Sequence, residues 1–103
     1  MAPTPAHLPV MPDEVMHYLA PHAGGTYIDC TTGLGGHSKR IAEAIGPQGR
    51  LLCIDQDGEA LEFARANLNP FGRRINFARG NFSELAEIAA ANGFTAADGI
   101  LMD

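Results

Sequence analysis

The residues of this chain best suited to chemistry lie in four short stretches, each directly after an apolar run. The first is Asp29-Cys30-Thr31-Thr32-Gly33-Leu34-Gly35-Gly36-His37. Glycines there permit positive φ and let a ligand approach the backbone without meeting a Cβ. A helix opening near His37 aims its unbonded amides at the same spot, a setting that favours a carboxylate or a phosphate. The loop is equally readable as a glycine-rich turn that holds nothing. As a dinucleotide fingerprint, G-x-G-x-x-G, it supplies Gly33 and Gly35 but has Ser38 in the third place. An acid four residues before the first glycine, as Asp29 is, suits the methyltransferase form of such a loop better.

The second stretch centres on Asp55, 22 residues after Gly33 and at the end of the next apolar run. A carboxylate there can accept hydrogen bonds from both hydroxyls of a ribose. The competing role is a helix cap, but Asp57 is better placed for that, so Asp55 is assigned to a ligand. The third stretch is Gly80-Asn81-Phe82. Its ring could cover one face of an adenine, with Asn81 or nearby backbone reading the polar edge, or could pack under the following helix. The fourth is Asp103, which could accept hydrogen bonds from a reacting group, contact a cofactor, or serve as a turn residue. His37 invites a general-base reading. Its backbone amide, at the helix start, is the better candidate for contact, with the side chain shaping the pocket.

These residues need a scaffold that brings them together, and the pattern of the chain supplies one. Met1 to Pro9 reads as an irregular lead-in, and Pro12-Asp13-Glu14 opens a helix through Val15 and Leu19 that Gly24-Gly25 ends. A strand from Thr26 to Cys30 leads into the glycine loop and a helix from about His37 to Ile45, stopped by Gly46-Pro47-Gln48-Gly49. Leu51-Leu52-Cys53-Ile54 is a continuous apolar strand, as expected when both faces of a parallel sheet are covered. A helix capped by Asp57 and carrying Leu61, Ala64 and Leu68 follows, then a turn at Asn69-Pro70-Phe71-Gly72 and a weaker strand from Arg74 to Ala78. Ser83 can cap a helix through Leu85, Ile88 and Ala89 that ends at Asn92-Gly93, and Gly99 to Asp103 is a fourth strand. Strands alternating with helices predict an α/β, Rossmann-like, parallel doubly wound sheet. Right-handed crossovers then put every strand's carboxyl end on one edge, where ligands of such sheets bind.

Composition narrows the function. The 103 residues are 46% hydrophobic and 18% charged, enough for one core in one domain over residues 1–103. No apolar stretch is long enough to span a membrane, and residues 1–10 lack a secretory signal, which points to the cytoplasm. Cys30 and Cys53, each inside a predicted strand, read as reduced thiols, and neither they nor the four histidines have metal-ligand spacing. A net charge of −5 argues against this stretch alone gripping a phosphate backbone. An apolar strand that stops at Asp103 without its loop reads as the amino-terminal portion of something longer.

Taken together, specific runs resemble the RsmH (MraW) family of bacterial methyltransferases. They are His7-Leu8-Pro9-Val10-Met11 with Glu14-Val15, Tyr27-Ile28-Asp29-Cys30-Thr31, Gly35-Gly36-His37-Ser38, Gly49-Arg50-Leu51 through Asp55-Gln56-Asp57, Asn81-Phe82, and Asp98-Gly99-Ile100-Leu101-Met102-Asp103. The resemblance covers about His7 to Asp103. It implies a class I methyltransferase fold, of which this is the amino-terminal half. It also implies an S-adenosyl-L-methionine site at Gly35, Gly36, His37, Asp55, Phe82 and Asp103, with Asp29 supporting the loop. The implied reaction is methylation of the exocyclic N4 amine of a cytosine in 16S rRNA, flipped out within the small ribosomal subunit. Asp103 is then the position nearest the transferred group, where placement of the amine against the methyl carbon is the main catalytic task. The rRNA-facing surface and a helical recognition insert would lie beyond this stretch, so activity of the chain alone is not expected. Two other classes remain in view. A non-catalytic nucleoside-binding module would show exposed apolar residues on the fourth strand's open edge. An NAD-dependent oxidoreductase would want glycine or alanine at Ser38.

Overall fold

The computed structural model describes residues 17, 19–30 and 36–101, with Phe82 through its backbone only. Strand β1 (Thr26–Asp29) is followed by helix α1 (Gly36–Ile45), β2 (Arg50–Asp55), α2 (Gly58–Asn67), β3 (Ile75–Arg79), α3 (Leu85–Ala91) and β4 (Gly99–Leu101). The four strands form one sheet in the order β3-β2-β1-β4, every pairing parallel. Three-residue-per-turn segments, Asn69–Arg74 and Phe82–Glu84, lead into β3 and α3.

The apolar run of β2 explains the layering. Successive side chains of a strand point to opposite faces. Leu51 and Cys53 accordingly pack with Tyr27, Ile41, Ala42, Ile45, Ala64 and Leu68 under α1 and α2. Leu52 and Ile54 pack with Ile28, Ala89 and Phe94 under α3. All four of these β2 side chains are buried, so the strand is covered on both faces. Leu19, helical like His17, reaches the α1–α2 core from before β1. The α1–β2 turn depends on two glycines. Gly46 takes φ +67°, and a Cβ on Gly49 would sit 2.5 Å from that of Ile45.

Several sequence expectations shift. The sequence pattern puts Cys30 inside the first strand, but β1 ends at Asp29 and Cys30 is half-buried in the turn beyond it. The third strand begins at Ile75 rather than Arg74, because Arg74 closes the preceding turn with its guanidinium 5.1 Å from the Phe71 ring. Ser83 does not cap α3. Its amide donates to Asn81 Oδ1 at 3.0 Å and its hydroxyl to the same oxygen, which folds residues 82–84 into a tight turn. Glu84 then precedes the helix without a side-chain cap. Asp57 does cap α2, accepting the Glu59 amide at 2.9 Å. Residues 1–16, with the predicted helix opening at Pro12, Tyr18, residues 31–35, Met102 and Asp103 lie outside the described residues.

Candidate functional site at the carboxyl edge of the sheet

Parallel pairing delivers the ends of β1, β2 and β3 to one edge. Asp29 is level with Cys53 and Leu101, and Asp55 with Arg79. The strand order reverses at β1, with β2 and β3 to one side and β4 to the other. The crevice between the ends of β1 and β4 is therefore the switch point where sheets of this kind bind ligands. At that point the Cys30 amide donates to the Leu101 carbonyl at 2.8 Å.

Asp29 is 0% exposed, although it is a carboxyl group. The Ser38 hydroxyl, from the first turn of α1, donates to Asp29 Oδ2 at 2.5 Å. The Cys53 thiol donates to the Ser38 oxygen at 3.3 Å, which extends the chain of contacts into β2. Burial, and then the charge of Asp29 next door, push the Cys30 thiol above its ordinary range. Gly36 opens α1 with its backbone exposed, and among the described residues nothing lies within 4 Å of where a Cβ would stand. His37 follows it, half-buried.

Asp55 ends β2, half-buried, and its Oδ1 accepts the Asp57 amide at 2.9 Å. Its backbone carbonyl accepts the Gly80 amide at 3.0 Å, which ties the β2 end to the β3 loop. The Arg79 guanidinium adds a bond from Nε to the Gln56 carbonyl at 3.0 Å. Phe82 opens the tight turn after that loop. With Asn81 Oδ1 taken by Ser83, Asn81 shapes this turn. The structure thus brings Asp29, Gly36, His37, Asp55 and the backbone of Phe82 to one edge. Gly33, Gly35 and Asp103 fall outside the described residues.

Sequence reasoning registered Ser38 as a missing glycine and as the end of the Gly35-Gly36-His37-Ser38 run, with no role of its own, whereas it links β1, α1 and β2. The available signal was its position: a polar residue at the third fingerprint place must be buried against the strand end. A neighbouring cavity of about 630 Å³, lined by Asp57, Gly58, Glu59, Glu62, Phe63 and Arg79, opens beside this cluster on the α2 side. Among the described residues no group of three His, Cys, Asp or Glu side chains could hold a metal ion, and no helix is long and apolar enough to cross a membrane.

Solved structures with the same layout include a SAM-dependent O-methyltransferase of Thermotoga maritima (TM-score 0.65, 24% identity, 79% of this chain and 31% of that one). A SAM-dependent methyltransferase of Aquifex aeolicus is similar as well (TM-score 0.59, 22% identity, 69% of this chain and 38% of that one). At these identities the likeness establishes the Rossmann-like fold. Closer relatives exist in sequence. The chain is 50% identical over 97 residues to "Ribosomal RNA small subunit methyltransferase H" of Symbiobacterium thermophilum, covering 94% of this chain and 30% of the relative. It is 47% identical over 98 residues to the protein of that name in Geobacter sulfurreducens, covering 95% and 32%. It therefore spans about a third of the length of the curated relatives it matches. The MraW methylase family matches residues 4–103, and the chain belongs to that family.

Proposed function

We propose that this chain is the S-adenosylmethionine-binding portion, over residues 1–103, of a cytoplasmic methyltransferase acting on the exocyclic N4 amine of a cytosine in 16S rRNA. The observation that carries the reading is the convergence of Asp29, Gly36, His37 and Asp55 at the carboxyl edge beside the switch point, in a member of the MraW methylase family. The residues fit such a cofactor. The described residues leave space over Gly36 for a ligand to reach the start of α1. Amides there suit its carboxylate, and Asp55 at the β2 end suits its ribose hydroxyls. Once bound, the cofactor supplies a methyl group activated by a sulfonium. Gly33, Gly35, Phe82 and Asp103 complete the proposed contact set, with Asp103 also placed to hold the protons of the target amine.

The rRNA surface belongs to the part of such a methyltransferase beyond this chain. The net charge of −5 supports that division, because a phosphate backbone is gripped by clustered Lys and Arg. The test is calorimetric titration with S-adenosylmethionine, with NAD in parallel. The expected result is saturable binding of adenosylmethionine, weakened at least ~10-fold by Asp55→Ala, on the scale of a lost hydrogen bond to a charged group. NAD binding tighter than adenosylmethionine binding would replace this reading with the oxidoreductase one. A nucleoside-binding module without catalysis is the second reading, favoured by Ile100 at 44% exposure on the open β4 edge. Binding without methyl transfer to small ribosomal subunits, even when the remaining part of a relative is supplied, would select it.

A further inference from the structure

We propose that Ser38 is a positioning residue for the amino-acid end of the cofactor, acting through the first turn of α1 that it anchors to the end of β1; the proposal rests on the cofactor reading above. Ser38 is 0% exposed, a polar side chain in the first turn of a helix, where serine has no intrinsic advantage. What it gains there is a partner. Its hydroxyl donates to Asp29 Oδ2 at 2.5 Å, and the Cys53 thiol donates to it at 3.3 Å. A carboxyl group removed from water is stabilised by hydrogen bonds and costs free energy without them, so this short bond strongly favours one arrangement.

The geometry of that arrangement matters for binding. Asp29 is the last residue of β1 and Ser38 the third of α1, so one hydroxyl ties the first turn of the helix directly to the strand end. In a dinucleotide-binding sheet the third fingerprint glycine lets helix and strand approach closely. Here serine holds that place, and a directional bond between helix and strand replaces close glycine packing. The bond fixes where the Gly36 and His37 amides face, the end of the site suited to a carboxylate. Asp55, at the ribose end, lies on another strand and holds its own turn through Asp57. The two ends of the site are thus set by separate contacts.

That separation gives the test. Wild type, Ser38→Ala and Asp55→Ala chains are titrated with S-adenosylmethionine and with 5′-methylthioadenosine, which keeps the nucleoside but lacks the amino-acid part. Circular dichroism at 10 °C checks that each variant is folded. Ser38→Ala is expected to bind adenosylmethionine ~10-fold more weakly, on the scale of one hydrogen bond to a charged partner. It should bind methylthioadenosine within ~2-fold of wild type, while Asp55→Ala weakens both ligands. If Ser38→Ala does not fold, Ser38→Cys, nearly the same shape with a weaker donor, is read instead. A ~3-fold loss confined to adenosylmethionine supports the assignment. Unchanged adenosylmethionine binding in the serine variant, or equal weakening of both ligands, overturns the assignment while leaving the cofactor reading standing. A wild-type chain that binds neither ligand overturns the cofactor reading and this assignment with it.

Discussion

The two outer strands of the sheet are finished in different ways. Beside β3, arginines cover what the strand exposes. Arg65 stacks 4.7 Å from the Phe77 ring, Arg74 stacks 5.1 Å from Phe71, and Arg79 is bonded to the Gln56 carbonyl. Charged side chains on an edge are a standard defence against pairing with another chain. Beside β4 there is no comparable cover among the described residues. Three residues form the strand, Ile100 is 44% exposed, and Ile28, Leu85, Ala89, Phe94 and Ile100 line an apolar groove of about 680 Å³. The β4 side is held instead by hydrogen bonds, to the Leu101 carbonyl at its end and to Asp98 before its start. The Asp98 amide donates to the Thr26 carbonyl at 2.7 Å, the Thr26 amide returns a bond to Asp98 Oδ2 at 2.8 Å, and His22 stands 3.7 Å from that carboxylate. The difference teaches where rigidity resides: the β1–β2 centre and the β3 side are locked by packing, and β4 depends more on hydrogen bonds to β1, with the Asp98 side chain adding one at its start.

Substitutions can break or sharpen that contrast. The largest effect belongs to the centre. Leu52→Ala, in a strand buried on both faces, should lower unfolding free energy by about 3 kcal/mol in urea titration. Asp98→Ala removes the side-chain bond to the Thr26 amide, leaving the backbone one, and should cost about 1 kcal/mol. Amide exchange should then speed up in β4 and stay unchanged in β3; equal acceleration in both strands would erase the asymmetry. Ile100→Lys should change stability by less than about 0.5 kcal/mol while reducing any concentration-dependent light scattering, because it gives β4 the charge that β3 already has.

The smallest effect is chemical. Cys30, its thiol pushed up by burial and by Asp29, should alkylate more slowly than a free thiol at pH 8 but faster than Cys53, which is fully buried. The raised pKa also sets a sign. The unfolded thiol loses its proton first, so this contribution to stability is complete below the unfolded cysteine value. It declines as pH rises through the folded value. Cys30→Ser should flatten that alkaline decline.

How much of this was legible in the sequence depends on whether the cause was local. The apolar run Leu51 to Ile54 and the cap at Asp57 declare themselves through neighbours in the chain, and both stand as expected. The parallel layout follows from strand and helix alternation. The start of β3 did not follow, because Arg74 is kept in the turn by a ring three residues back, which no propensity encodes. Ser83 failed as a cap because Asn81 captures it first. For the site, types and spacing were enough to bring Asp29, Gly36, His37 and Asp55 to one edge. The Ser38 bond joins residues on different elements across the fold and becomes visible only once β1 and α1 are packed.

The central claim, that the carboxyl ends of β1 and β2 form the cofactor site, is tested most directly by following backbone amide resonances during titration with S-adenosylmethionine. The account predicts saturable shifts at Gly36, His37, Asp55 and the Gly80–Asn81 turn, with the β4 groove residues Phe94 and Ile100 unmoved. Shifts centred on that groove, or saturable binding that leaves Gly36 and Asp55 unmoved, would contradict it.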